Sequence, residues 1–124
     1  MPGPTGGTAV LVRCEEVGLA LVCHLEGNLE QASAPQFREA VAGLLPSKKL
    51  VVFELSAVPF IDSAGIGALI GAAKRIRELG GTVVVCAPRP SISRVFQLVG
   101  LARVVTVAGS ATEAIEHRSG AVVA

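Results

Sequence analysis

Leu50-Val51-Val52-Phe53-Glu54-Leu55, followed shortly by Phe60-Ile61-Asp62-Ser63-Ala64-Gly65-Ile66-Gly67, decides the reading of this chain. The first run is apolar nearly throughout, the pattern of a central strand covered on both faces. The second opens an amphipathic segment that continues to Leu79. Strand, tight junction and helix therefore follow one another, and the first turn of the helix carries Ser63. A hydroxyl there sits where unpaired backbone N–H groups and the positive end of the helix dipole converge. Such a place holds a phosphate on the serine, or an anion delivered by another molecule.

The rest of the chain is read outward from this junction. In the helix over 63–79, Ile66, Leu69, Ile70, Ala73 and Ile76 form the inner stripe, while Lys74, Arg75, Arg77 and Glu78 lie outside. Gly80-Gly81 stops it. Upstream, 9–14 and 18–25 are β-rich runs separated by Glu15-Glu16-Val17, the pattern of an antiparallel hairpin. A polar loop, Glu26-Gly27-Asn28-Leu29-Glu30, leads to a helix over 33–45. Ser33 and Gln36 stand at capping-box spacing, Pro35 falls in the first turn, and Pro46 helps end the helix. Its buried face is Phe37, Ala40, Val41 and Leu44.

Downstream, 82–87 reads as a fourth strand. Pro90 opens a third helix with Ile92, Val95, Phe96 and Val99 inside and Gly100 at its close. A fifth strand over 103–107 and a short helix from the Ser110/Glu113 box to His117 complete the pattern. The order β-β-α-β-α-β-α-β-α predicts an α/β domain. Its sheet is mixed and mostly parallel, with four to five strands and about four helices. Right-handed crossovers put successive helices on one side, and the hairpin adds an antiparallel edge. One domain over 9–118 is expected between an N-terminal tail, 1–8, and a C-terminal tail, 119–124.

A length of 124 residues suits one domain. Hydrophobic residues make up 51% and aromatics 3%, so the core is built from Val, Leu, Ile and Ala. The net charge is +1 with scattered Lys and Arg, which argues against a nucleic-acid surface or a polybasic membrane anchor. No apolar run reaches the roughly 18–20 residues of a membrane-spanning helix. Residues 1–7 lack the basic region and apolar core of a signal peptide, so a cytoplasmic protein is expected. Cys14, Cys23 and Cys86 are widely spaced in apolar runs and read as reduced core residues. Neither His24 nor His117 has a nearby set of Cys, Asp or Glu that would make a metal site, and neither a metal nor a cofactor is expected.

Three landmarks resemble the bacterial anti-sigma factor antagonists, built on the STAS domain. Glu26-Gly27-Asn28-Leu29-Glu30 is similar to that family's Gly-Glu-Leu-Asp loop after the second strand. Val51-Val52-Phe53-Glu54-Leu55-Ser56 with Phe60-Ile61-Asp62-Ser63-Ala64-Gly65-Ile66-Gly67 resembles its phosphorylation motif, Asp-Ser followed by Ser or Ala and then Gly. Leu79-Gly80-Gly81 with Val95-Phe96-Gln97-Leu98-Val99-Gly100-Leu101 is similar to its closing motif. The resemblance runs over about 9–117. It implies a partner switch. The unmodified protein binds an anti-sigma factor that is itself a serine kinase, and so releases a sigma factor. The kinase then phosphorylates the serine, Ser63 by alignment, and the complex separates. A serine phosphatase resets the cycle. The chain departs from the pattern at Glu30, where the family usually has Asp, and at Asn28, where it usually has Glu.

Ser63 is thus either a helix cap or the phosphorylated residue, and the two roles are compatible. Asp62 is either the cap itself or a partner contact. Gly65 and Gly67 either pack the helix start against the sheet or give a partner clearance; their spacing matches no P-loop or dinucleotide fingerprint. The expected partner face comprises Asn28, Glu30, Asp62, Ser63, Ala64, Gly65, Ile66, Gly67 and Arg94, the last flanking the third helix start with Arg89. The expected protein is a monomeric binding module, not an enzyme. A serine hydrolase fails because Gly is missing two residues before Ser63 and only His117 follows it. The alternative is a non-switching STAS scaffold or transporter-associated subunit.

Overall fold

Branched aliphatic residues dominate the inner strands and build a five-stranded sheet in the order β1-β2-β3-β4-β5. The computed structural model describes residues 9–44 and 50–120, with side chains to 116. The expected N-terminal tail, 1–8, residues 121–124 of the expected C-terminal tail, and Leu45 and Pro46 lie outside the described residues. Residues 119 and 120 of that C-terminal tail belong to the last helix. The first helix closes at Ala42 on the Gly43 cap, short of the expected end at Leu45. β1 (Leu11–Val17) pairs antiparallel with β2 (Ala20–Glu26). β3 (Leu50–Ala57), β4 (Thr82–Cys86) and β5 (Thr106–Ala108) continue the sheet in parallel. This is the expected mixed sheet with one antiparallel edge.

The hairpin turn is tighter than the sequence suggested. Glu15, Glu16 and Val17 belong to β1 rather than to a loop, and only Gly18 and Leu19 turn the chain. Gly18 has φ 60°, the conformation required at the first position of a type II′ turn. The exposed glutamates misled because β1 is an outer strand with no buried position.

α1 (Ala34–Ala42), α2 (Ser63–Glu78) and α3 (Pro90–Val99) pack on one face of the sheet. Phe37, Val41, Leu69, Ala73, Ile76, Ile92 and Phe96 meet Leu21, Cys23, Val51, Phe53, Leu55, Val83 and Val85 there. Phe37 and Phe53 stack edge to face with centroids 5.4 Å apart, a geometry that adds about 0.5–1.5 kcal/mol to area burial. α4 (Ala111–Gly120) departs from the one-sided expectation. It covers the opposite face, where Ala114 joins Ala20, Val22, Val52, Val84, Cys86 and Ala108. Among the described residues no strand follows it, so no strand-to-strand crossover fixes its side. It also runs beyond His117, the expected end.

Two other expectations are corrected near the C-terminus. The fifth strand is Thr106–Ala108, not 103–107, because Gly100 at φ 70° leads into a 3₁₀ turn over Leu101–Arg103. Buried Leu101 anchors that turn, and its carbonyl accepts from Val104 and Val105. Val99, expected inside α3, is 53% exposed. In α2 the inner stripe is as read, with Ala68 added and Ile70 only partly buried.

Candidate functional site

Two of the three sequence landmarks, the 26–30 loop and the 60–67 motif, meet at the carboxyl edge of the parallel strands. β2 and β3 pair in register to His24 and Glu54, slip by a bulge, and resume at Glu26 and Ala57. The pairing then extends past both strands. The Gly27 N–H donates to the Ala57 carbonyl at 3.0 Å, the Leu29 N–H to Phe60 at 3.0 Å, and the Asp62 N–H to Leu29 at 3.3 Å. Leu29 and Ile61 form a parallel bridge, and both are buried. The loop that carries Asn28 and Glu30 is therefore held beside the junction that carries Asp62 and Ser63.

Asp62 joins the two segments with its side chain. It caps α2 in extended conformation, and its Oδ1 accepts the Gly65 N–H at 2.9 Å. Its Oδ2 accepts the Gln31 N–H at 3.1 Å. The Gly65 bond, together with the Gln31 and Ala64 N–H groups, holds the Asp62 carboxyl below the usual carboxylate range against an opposing desolvation effect. The cap is thus Asp62 and not Ser63. Ser63 is the first residue of α2, exposed, and its hydroxyl makes no hydrogen bond to another described residue.

Ser33 shapes the opposite wall. Capping-box spacing implied that it caps α1 with Gln36, but its side chain makes no cap hydrogen bond. Its Oγ instead donates to the Asn28 carbonyl at 2.7 Å and accepts the Glu30 N–H at 3.0 Å. Gln36 is drawn away as well, accepting the Val10 N–H at 3.0 Å. The loop won because Ser33 is fully buried and its neighbours' backbone groups need partners. Ser33 thereby fixes the curvature of 28–31, a role that only its spacing from Glu30 hints at.

The two glycines have different functions. A Cβ on Gly65 would lie 2.1 Å from the Leu29 carbonyl oxygen and 2.9 Å from Ile61 Cγ1. Gly65 is buried at this crossing, whereas Gly67 is exposed and a Cβ there would meet nothing within 4 Å. Gly65 and Ile66 therefore lie beneath the site, and Asn28, Glu30, Asp62, Ser63, Ala64 and Gly67 reach its surface to differing degrees. Arg94 is exposed on α3 and makes no hydrogen bond or ion pair to 28–31 or 62–64. Arg89 holds the α3 start to β3, donating through Nε to the Ser56 carbonyl at 3.1 Å. One surface residue escaped the sequence reading. Phe60 is 49% exposed, three positions before Ser63, and its only signal is being an aromatic residue in a chain with few.

The STAS domain family model matches residues 12–114. The chain belongs to the STAS domain family. A Bordetella bronchiseptica protein named as a candidate anti-sigma factor antagonist, BtrV, is 31% identical over 75% of this chain and 80% of its own length. The crystal structure of an anti-sigma factor antagonist from Mycobacterium paratuberculosis superposes with TM-score 0.80 at 22% identity, covering 90% of this chain and 96% of the other. SpoIIAA from Bacillus, an anti-sigma factor antagonist solved in its unphosphorylated form, superposes with TM-score 0.73 at 23% identity over 91% of this chain and all of that one. Its phosphorylated form gives 0.65 at 23% identity over 86% of this chain and 97% of that one. At these identities the structural likenesses establish the STAS fold. Among the described residues, no helix of this STAS domain is long and apolar enough to cross a membrane.

Proposed function

We propose that this STAS domain is an anti-sigma factor antagonist that works as a partner switch. Unmodified, it binds an anti-sigma factor serine kinase and releases a sigma factor; phosphorylation at Ser63 ends that binding, and a serine phosphatase restores it. The observation that carries the reading is the exposed Ser63 hydroxyl at the first position of α2, beside the Asn28–Gln31 loop. The relatives named as anti-sigma factor antagonists, and the existence of SpoIIAA in both phosphorylation states, support it.

The physical sequence is short. The docking face comprises Asn28, Glu30, Phe60, Asp62, Ser63, Ala64 and Gly67, with Arg94 of α3 as a further proposed contact. Gly65 and Ile66 support it from beneath. A phosphate on Ser63 adds about −1.5 to −2 charges. It competes with the Asp62 carboxylate for the N–H groups of the first turn. Asp62 also holds Gln31, so the competition reaches the loop as well as the helix. Like charges facing each other across an interface cost several kcal/mol, and each ~1.4 kcal/mol is tenfold in affinity. The switch therefore needs no large rearrangement of the sheet.

The test is a kinase assay with ATP and candidate anti-sigma factors from the same organism, read by intact mass. A single phosphate on the wild type, none on Ser63→Ala, and loss of binding on modification are expected. Folded protein that binds none of these kinases and stays unmodified would sink the proposal and leave a STAS scaffold.

A further inference from the structure

The hairpin places two of the three cysteines against each other. Cys14 on β1 and Cys23 on β2 are direct cross-strand partners. With a two-residue turn, Val17 and Ala20 form the hydrogen-bonded closing pair, so alternation makes 14/23 a non-hydrogen-bonded pair. Such pairs have the closest Cα atoms in an antiparallel ladder, about 4.5 Å apart, at the near end of the range a disulfide spans. Both side chains point to the helix-covered face of the sheet. The Cys14 thiol donates to the Cys23 sulfur, and the two sulfurs are 2.9 Å apart. Cys14 is partly exposed and Cys23 is fully buried, so one thiol of the pair is reachable from solvent. Cys86 lies on the opposite face of the sheet and has no cysteine partner.

We propose that Cys14 and Cys23 are a thiol–disulfide modification site that a small-molecule disulfide closes reversibly, locking β1 onto β2. The exposed partner reacts first. The Cys14 thiolate attacks one sulfur of the oxidant, the oxidant's S–S bond breaks, and one thiolate leaves. Cys23 then loses its proton and attacks Cys14 Sγ, displacing the second thiolate. Two protein thiols are oxidised by two electrons, and the oxidant is reduced to two thiols that take up both protons. Burial and the Cys14 contact push the Cys23 thiol well above its ordinary range, which makes this second step the slower one. Side-chain rotation alone closes the remaining gap, so the sheet register is kept.

The consequence falls on the outermost strand. Among the described residues β1 has one sheet neighbour, β2, at the end of the strand order. A covalent bond at mid-hairpin prevents β1 from peeling away and restricts the unfolded chain. This inference stands independently of the proposed role of Ser63.

The experiment treats the reduced full chain with glutathione disulfide, then alkylates the free thiols after unfolding. Trypsin leaves both cysteines in one peptide that ends at Arg38, so the map uses cleavage after Glu15 or Glu16, which separates them. The expected product has Cys14 joined to Cys23, Cys86 as the single alkylated thiol, and a melting temperature raised by several degrees. Dithiothreitol reverses all of it. In Cys23→Ala the reaction stops at a mixed disulfide on Cys14. Three alkylated thiols, a stable mixed disulfide in the wild type, or chains cross-linked to each other through Cys14 would overturn the proposal. If Cys23→Ala does not fold, the wild-type map alone decides.

Discussion

Asp62 and Gln31 are joined across 31 positions of sequence by one hydrogen bond, from the Gln31 backbone N–H to Asp62 Oδ2 at 3.1 Å. The same carboxylate caps α2 through Oδ1. One side chain thus sets both the start of the helix that carries Ser63 and the position of the loop that faces it.

That arrangement has a pH signature. The Asp62 pKa is lowered in the folded protein, chiefly by the Gly65 N–H. A carboxylate with a depressed folded pKa stabilises the fold fully above its ordinary unfolded value, about 4. The contribution is lost as pH falls through the folded value. Thermal melts of wild type and Asp62→Asn between about pH 6 and about pH 2 should differ most at the upper end and converge at the lower. Parallel curves would show that the ionised carboxylate contributes nothing. Hydrogen exchange at Gln31 should speed up in the variant at neutral pH.

Gly65 and Gly67 separate packing from helix propensity. Gly65→Ala drives a Cβ into the Leu29 carbonyl, and overpacking against backbone should cost at least ~1–3 kcal/mol. Gly67→Ala meets open space on an exposed helical position, and should stabilise by roughly 0.5–1 kcal/mol. Denaturant titrations of both variants check the opposite signs. Equal effects would contradict the close approach of α2 to Leu29.

Ser33→Ala removes the hydroxyl that serves both the Asn28 carbonyl and the Glu30 N–H. The groups left unsatisfied in a buried setting should cost about 1–3 kcal/mol. If Ser33 were an α1 cap instead, the loss of order would concentrate in the first turn of α1. Amide exchange distinguishes the two, because the loop reading places the increase at Glu30 and Gln31.

Phe60→Ala tests the docking face without disturbing the core. The ring is half exposed, so stability should change by less than about 1 kcal/mol. A buried aromatic anchor at an interface is worth about 2 kcal/mol or more, so affinity for the anti-sigma kinase should fall roughly 30-fold. Calorimetry with the kinase identified in the phosphorylation assay measures it. Unchanged affinity would place the partner elsewhere on the domain.

The sequence alone determined the order of the elements, the central strand, the extent of α2 and its buried stripe. These follow from local periodicity and from Pro and Gly punctuation, which act over a few residues. It also singled out Ser63 and the Asn28/Glu30 loop. What the tertiary structure decided are relations between distant backbone groups. Ser33 and Gln36 kept capping-box spacing, yet partners at Asn28, Glu30 and Val10 claimed their side chains. Gly65 and Gly67 look alike in sequence, and only the Leu29 carbonyl separates them. His24 was singled out in the sequence only for lacking a set of metal ligands, and the sheet brings Glu15 and Glu54 to it from neighbouring strands at 2.8 and 3.5 Å. Cys14 and Cys23 became a pair through the hairpin register, once Gly18-Leu19 rather than Glu15–Val17 formed the turn. Local patterns choose which element forms, because their energies depend on near neighbours. Which polar group, thiol or glycine meets which is set by strand register and helix placement, where a shift of one residue exchanges every partner.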